Sequence, residues 1–89
     1  MQLGLEGKVA IVTGGARGIG GAIVEGYVSE KANVVIGDIM LDKAQELAQK
    51  LTRGGVKVIA VRTDVSRKSD VDNLVSATLA EFDRVDILV

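Results

Sequence analysis

Thr13-Gly14-Gly15-Ala16-Arg17-Gly18-Ile19-Gly20 follows an apolar run, Val9-Ala10-Ile11-Val12, and opens into a segment with helical spacing. A strand, a glycine turn and a helix start in that order form a phosphate-binding device. Glycine brings no side chain to block a ligand and tolerates positive φ. The helix start then aims free N–H groups, and the positive end of its dipole, at an anion. The glycine spacing is G-x-x-x-G-x-G. It is neither the G-x-G-x-x-G of the common dinucleotide fingerprint nor the Walker form, which needs Gly-Lys-Ser/Thr. A ligand-free strand-to-helix turn would also use such glycines, so the rest of the chain has to decide.

Outward from that turn, the pattern alternates. Lys8 to Thr13 reads as a strand buried on both faces, as in a parallel sheet. Gly18 to Glu30 reads as a helix with Ile19, Ala22, Ile23, Gly26 and Tyr27 on one apolar stripe. Asn33 to Gly37 is a second strand ending in Asp38. Asp42 to Arg53 is a second helix, with Ala44, Leu47, Ala48 and Leu51 on one face and Gly54-Gly55 as its stop. Val56 to Val61 is a third strand ending near Asp64. Ser66 is placed to cap a third helix, with Asp70 near its positive end and Val71, Leu74, Val75 and Phe82 along its stripe. Asp86-Ile87-Leu88-Val89 begins a fourth strand. Three alternations with short links predict one domain over 1–89: an α/β, parallel-sheet fold of β-α units with helices on both faces.

Composition narrows the function classes. The chain has 89 residues, a net charge of −1 and no basic run, so charge gives no argument for nucleic acid or a membrane surface. With no Cys, disulfides and thiolate metal sites are excluded; with no His, so is the commonest neutral-pH base. Neither a signal-peptide pattern nor a membrane-length apolar run is visible, which makes a cytoplasmic protein the expectation.

In a parallel sheet, ligands bind beyond the carboxyl ends of the strands. Asp38 ends the second strand 18 residues after Gly20, close to the offset at which a dinucleotide fold sets an acid on the ribose hydroxyls. A carboxylate there accepts hydrogen bonds from both hydroxyls and repels a 2′-phosphate. Like charges about 4 Å apart at an effective dielectric of about 20 repel by about 4 kcal/mol, and a third of that is roughly tenfold. Arg17, in the turn, pulls the other way if it reaches a phosphate; the alternative is a solvated charge. After Asp38 come Ile39-Met40-Leu41, with no cation. The expected cofactor is therefore NAD, with NADP less favoured. Asp64 beside Val65 has two readings of equal standing: a carboxylate on the adenine amino group with the valine over the ring edge, or an acid near the third helix's dipole.

Taken together, Gly7-Lys8-Val9-Ala10-Ile11-Val12-Thr13-Gly14, Gly18-Ile19-Gly20, Asp38, Asp64-Val65 and Asp86-Ile87-Leu88-Val89 resemble the short-chain dehydrogenase/reductase family. The resemblance covers nearly the whole chain. It implies a Rossmann-type fold, truncated, with strand order 3-2-1-4, and hydride transfer between a nicotinamide cofactor and an alcohol or carbonyl substrate. It implies cofactor contacts at Gly14, Ala16, Arg17, Gly18, Ile19 and Gly20 for the pyrophosphate, at Asp38 and Ile39 for the ribose, and at Asp64-Val65 for the adenine. No catalytic or metal-binding residue is expected within the chain. The family's Asn-Asn-Ala-Gly, Ser and Tyr-x-x-x-Lys elements come later, so the chain is expected to be the inactive amino-terminal part of an enzyme that forms homo-oligomers when complete. The alternative is a non-catalytic dinucleotide-binding or interaction module.

Tyr27-Val28-Ser29-Glu30-Lys31 fits Tyr-x-x-x-Lys literally. It lies about 14 Å along the first helix from the phosphate end, and is expected to serve packing and the helix dipole. Three departures from the family pattern bear on stability. Lys31 stands where a helix-ending glycine is usual, Asp83 replaces another glycine, and Met40-Leu41 sit where a polar cap is usual. The fourth strand, at an edge of the sheet, is expected to expose apolar surface and to favour self-association.

Overall fold

The computed structural model describes residues 4–14, 18–52 and 54–89. The elements run β1 (Val9–Thr13), α1 (Gly18–Ser29), β2 (Asn33–Asp38), α2 (Leu41–Leu51), β3 (Val58–Arg62), α3 (Lys68–Phe82) and β4 (Ile87–Leu88). All strand pairs are parallel, in the order β3-β2-β1-β4. The alternation read from sequence is the alternation found, with element ends shifted by at most two residues.

Side chains alternate across each strand, so neighbouring residues serve different layers. Val12, Val34, Ile36 and Val58 pack with Val24 of α1 and Ala44, Ala48 and Leu51 of α2. Ile11 and Val35 pack on the other face with Leu74 of α3, where Ile59, Val61, Val75 and Phe82 join them. Both faces being covered, β1 and β2 are apolar at consecutive positions rather than at every second one.

The stripe expected on α1 is corrected. Its buried residues are Gly21 and Val24, and Ile19 is 83% exposed. Ile23, Tyr27 and Val28 pack only partly. This helix carries apolar residues on nearly every side, so helical spacing alone does not single out one face. The α2 stripe is found as expected, with Ala44, Ala48 and Leu51 buried and Leu47 partly so. On α3, Leu74 and Thr78 are the buried pair, and the Thr78 hydroxyl donates to the Leu74 carbonyl at 2.8 Å.

The helix ends explain two departures noted above. After α1, the Lys31 N–H donates to Val28 O at 2.9 Å and the Ala32 N–H to Tyr27 O at 3.0 Å. These are the paired bonds of a Schellman ending, which needs a left-handed residue. Lys31 fills that place with φ 64°, as does Asp83 after α3, also at φ 64°. Because Lys31 lies beyond Ser29, it does not share a helix face with Tyr27, which removes the geometric premise of the Tyr-x-x-x-Lys match.

β4 sits at an edge and is joined to β1 by a charged side chain as well as by backbone. Asp86 Oδ2 accepts the Val9 N–H at 2.8 Å, and Arg84 grips both carboxylate oxygens at 2.8 Å. At the other end of β1, Thr13 donates both its N–H and its hydroxyl to Val89 O. Leu88 and Val89 are exposed there, as expected for an edge strand.

Candidate cofactor site at the carboxyl ends of the strands

Beyond the carboxyl ends of β1, β2 and β3 lies a hollow of about 190 Å³, walled by Gly14, Gly37, Asp38, Ile39, Thr63, Asp64 and Val65. Five of these, Gly14, Asp38, Ile39, Asp64 and Val65, are residues singled out from sequence. Gly18, Ile19 and Gly20 stand apart from the hollow, in the first turn of α1. Ala16 and Arg17 lie outside the described residues.

The glycines fall into two kinds. Gly14 and Gly18 adopt φ of 66° and 53°, and a Cβ on either would meet nothing within 4 Å. Their bareness serves the backbone turn and leaves open space in front of it. Gly37 is bare for the opposite reason: a Cβ there would come 2.7 Å from Leu74 Cδ2. It lets α3 close onto the sheet beneath the hollow. The Gly14 N–H is spent on the sheet, donating to Gly37 O at 2.7 Å. Gly14 therefore offers a ligand its open Cα side rather than its amide. The amides that an α-helix leaves without intrahelical acceptors belong to its first turn, here from Gly18 on, and no acidic residue in that turn opposes an anion.

Asp38 is 4% exposed, although it forms part of the hollow's wall. Its Oδ1 accepts the Met40 N–H at 2.8 Å. That bond supports the start of α2, where Met40 is the cap residue and gives no side-chain bond of its own. This bond orients the Asp38 carboxylate. Ile39, 51% exposed, and Val65, 62% exposed, flank the hollow with apolar surface facing solvent.

Asp64 is held differently. Its Oδ1 accepts both the N–H and the hydroxyl of Ser66, at 3.0 and 2.6 Å. These two bonds, the hydroxyl's first, hold its carboxyl below the usual carboxylate range. Burial opposes them, and the charges of Arg67 and Arg62 add smaller lowering effects. The expected role of Ser66 is corrected: the cap residue of α3 is Arg67, which caps with no side chain, and Ser66 instead closes a turn on Asp64. Asp70, in the first turn of α3 as expected, accepts the Asp64 N–H at 2.9 Å.

Two wall residues escaped the sequence reading. Gly37 had a signal: glycine inside an apolar strand is unfavourable and marks a close approach. Thr63 had none. It is 2% exposed, and its hydroxyl donates to Val61 O at 3.1 Å.

Open glycines at Gly14 and Gly18, a buried carboxylate at the next strand end and two apolar flanks fit the adenosine half of a dinucleotide. Among the described residues, no group of acidic side chains is arranged to hold a metal ion. Among the same residues, no helix is long and apolar enough to cross a membrane.

Comparison with known proteins identifies the family. The family model for short chain dehydrogenase matches residues 8–89. Tropinone reductase-like 1 of Erythroxylum coca is 50% identical over 84 residues, which are 94% of this chain and 30% of that protein. The structure of L-sorbose reductase from Gluconobacter frateurii, complexed with NADPH and L-sorbose, superposes with a TM-score of 0.92 at 39% identity, covering 99% of this chain and 34% of that one. A short chain dehydrogenase/reductase from Burkholderia phymatum in complex with NAD gives 0.89 at 36% identity, covering 94% and 30%. The chain thus spans about a third of the length of these relatives. From its turn, its strand order and this match, the chain belongs to the short-chain dehydrogenase family.

Proposed function

We propose that this chain supplies the NAD site of an oxidoreductase acting between an alcohol and a carbonyl. The bound nicotinamide supplies the hydride chemistry. The chain's own residues bind and orient the cofactor. The first turn of α1, Gly18-Ile19-Gly20, holds the pyrophosphate with Ala16 and Arg17, which precede it in sequence. Asp38 accepts from the ribose hydroxyls beside Ile39, and Asp64-Val65 border the adenine. The reading is carried by Asp38, a buried, oriented carboxylate in the wall of a hollow that opens at the strand ends.

NAD is favoured over NADP because a carboxylate fixed at this place meets a 2′-phosphate as a like charge. The groups that act on substrate belong to segments other than these 89 residues, which by themselves bind cofactor without turnover. Tyr27, the one tyrosine, supports this: it sits near the far end of α1, among Leu5, Ile23 and Glu30. A cytoplasmic location and homo-oligomers of the complete enzyme belong to the same proposal, as does a small-molecule rather than a nucleic-acid ligand.

Calorimetric titration of NAD and NADP against wild type and Asp38→Ala tests it. NAD is expected to bind about tenfold more tightly than NADP, and the substitution to weaken NAD and remove the preference. A wild-type preference for NADP, or an unchanged NAD affinity in the variant, refutes the assignment.

A further inference from the structure

The sheet places a cation beside the carboxylate that ends β2. Arg62 ends β3 as Asp38 ends β2, and the two are partners in the parallel register. The Thr63 N–H donates to Asp38 O at 3.0 Å, so the register holds to the last residue of each strand. Partners in register leave the same face of a sheet. Gly37 and Val61, one residue earlier, belong to the α3 face. Asp38 and Arg62 therefore start from the other one. β3 is an edge strand, so the Arg62 side chain has open space beside it and is 59% exposed.

A loose ion pair holds the guanidinium. Its Nη1 lies 3.9 Å from Asp70 Oδ2, an oxygen that already accepts the Asp64 N–H at 2.9 Å. Exposed pairs of this kind contribute about 0–1 kcal/mol, so turning the guanidinium elsewhere costs little. Its charge also contributes to holding the Asp64 carboxyl below its ordinary range, which sets it within electrostatic reach of the hollow's wall.

We propose that Arg62 is a specificity residue for the ribose 2′ position, offering a 2′-phosphate a counter-charge that partly offsets repulsion by Asp38. This rests on the cofactor reading given above. Arginine suits the task because its fork matches phosphate oxygens and its charge persists at any working pH. The preference between NAD and NADP is then a balance across one pair of neighbouring strand ends. Asp38 sets its direction, and Arg62 limits its size.

The test titrates NAD and NADP against wild type, Arg62→Gln and Arg62→Lys at low and high salt. Arg62→Gln is expected to raise the Kd for NADP about tenfold, and that for NAD less than about twofold. Arg62→Lys keeps most of the NADP affinity. The gap between wild type and Arg62→Gln narrows with salt, which screens exposed charges. Equal changes for both cofactors, or an unchanged Kd for NADP, overturn the proposal. So does NADP binding too weak to titrate in wild type, since the counter-charge is then without effect. If Asp38→Ala shifts the preference while Arg62→Gln does nothing, only the role of Arg62 falls. If wild type binds neither cofactor, the cofactor reading falls as well.

Discussion

Two aspartates end, or closely follow, neighbouring strands of one sheet, and the fold treats them in opposite ways. Asp38 is 4% exposed and held by the Met40 N–H, so its position is tied to the start of α2. Asp64 lies two residues past its strand, in a turn of its own, and takes both its side-chain bonds from Ser66. Each of these side-chain bonds spans only two residues of sequence, so it is burial that separates the two acids: Asp38 is enclosed and Asp64 is half-buried. A buried, oriented charge discriminates between ligands, because neither solvent nor motion screens it. A more open charge in a local turn borders a ligand at little cost and with little selectivity.

Breaking the packing beneath Asp38 should have the largest effect. Gly37→Ala brings a methyl to 2.7 Å from Leu74 Cδ2, and overpacking of this kind costs about 1–3 kcal/mol. Urea unfolding should register that loss. Leu74→Ala in the same chain should relieve part of it, giving a cost below the sum of the two single changes. Next in size is Asp38→Asn, which keeps an oxygen for the Met40 N–H and removes the charge. Stability is expected to change by less than about 1 kcal/mol, while discrimination against NADP falls by about tenfold in paired titrations. That result would assign selectivity to charge rather than to shape.

The smallest effect is expected at Ser66→Ala. The Asp64 carboxyl is held below its usual range chiefly by the Ser66 hydroxyl, so losing that hydroxyl should move it back up. A depressed folded value adds stability that is complete above the ordinary carboxylate value, about 3.9, and disappears as the pH falls through the folded value. Melting curves of wild type and variant should therefore differ most near neutrality and converge in acid. A difference that grew on acidification would contradict the described turn.

The sequence made the architecture legible because each strand and helix carries its own period and its own stop. Val9 to Val12, Val34 to Ile36 and the glycines at 54 and 55 mark ends that tertiary packing does not overrule. Acids at strand ends were legible for the same reason: topology alone sends those positions to the ligand side. What could not be read depends on contacts between distant residues. The buried face of α1 is chosen by where β1 and β2 lie, since the helix is apolar around much of its circumference. Ser66 resembles a cap because its hydroxyl can accept as well as donate: a cap would use it as acceptor, while the turn uses it as donor to Asp64. Thr78 is polar by composition, yet it is buried with its hydroxyl returned to its own helix, a bond that no pattern of types announces.

The adjacency of Gly37 and Asp38 has one more consequence. One residue must be bare because α3 presses on it, and the next must be charged. Shifting β2 along its neighbours by a single position would exchange their faces. Slipped one way, the carboxylate would be driven into Leu74 and Ile39 would take its place in the hollow's wall; slipped the other way, Ile36 would be driven into Leu74 and Gly37 would leave the wall only a hydrogen atom. The two-letter word Gly-Asp thus works as a proofreading mark for strand alignment, so a sheet assembled out of step disturbs core and hollow together.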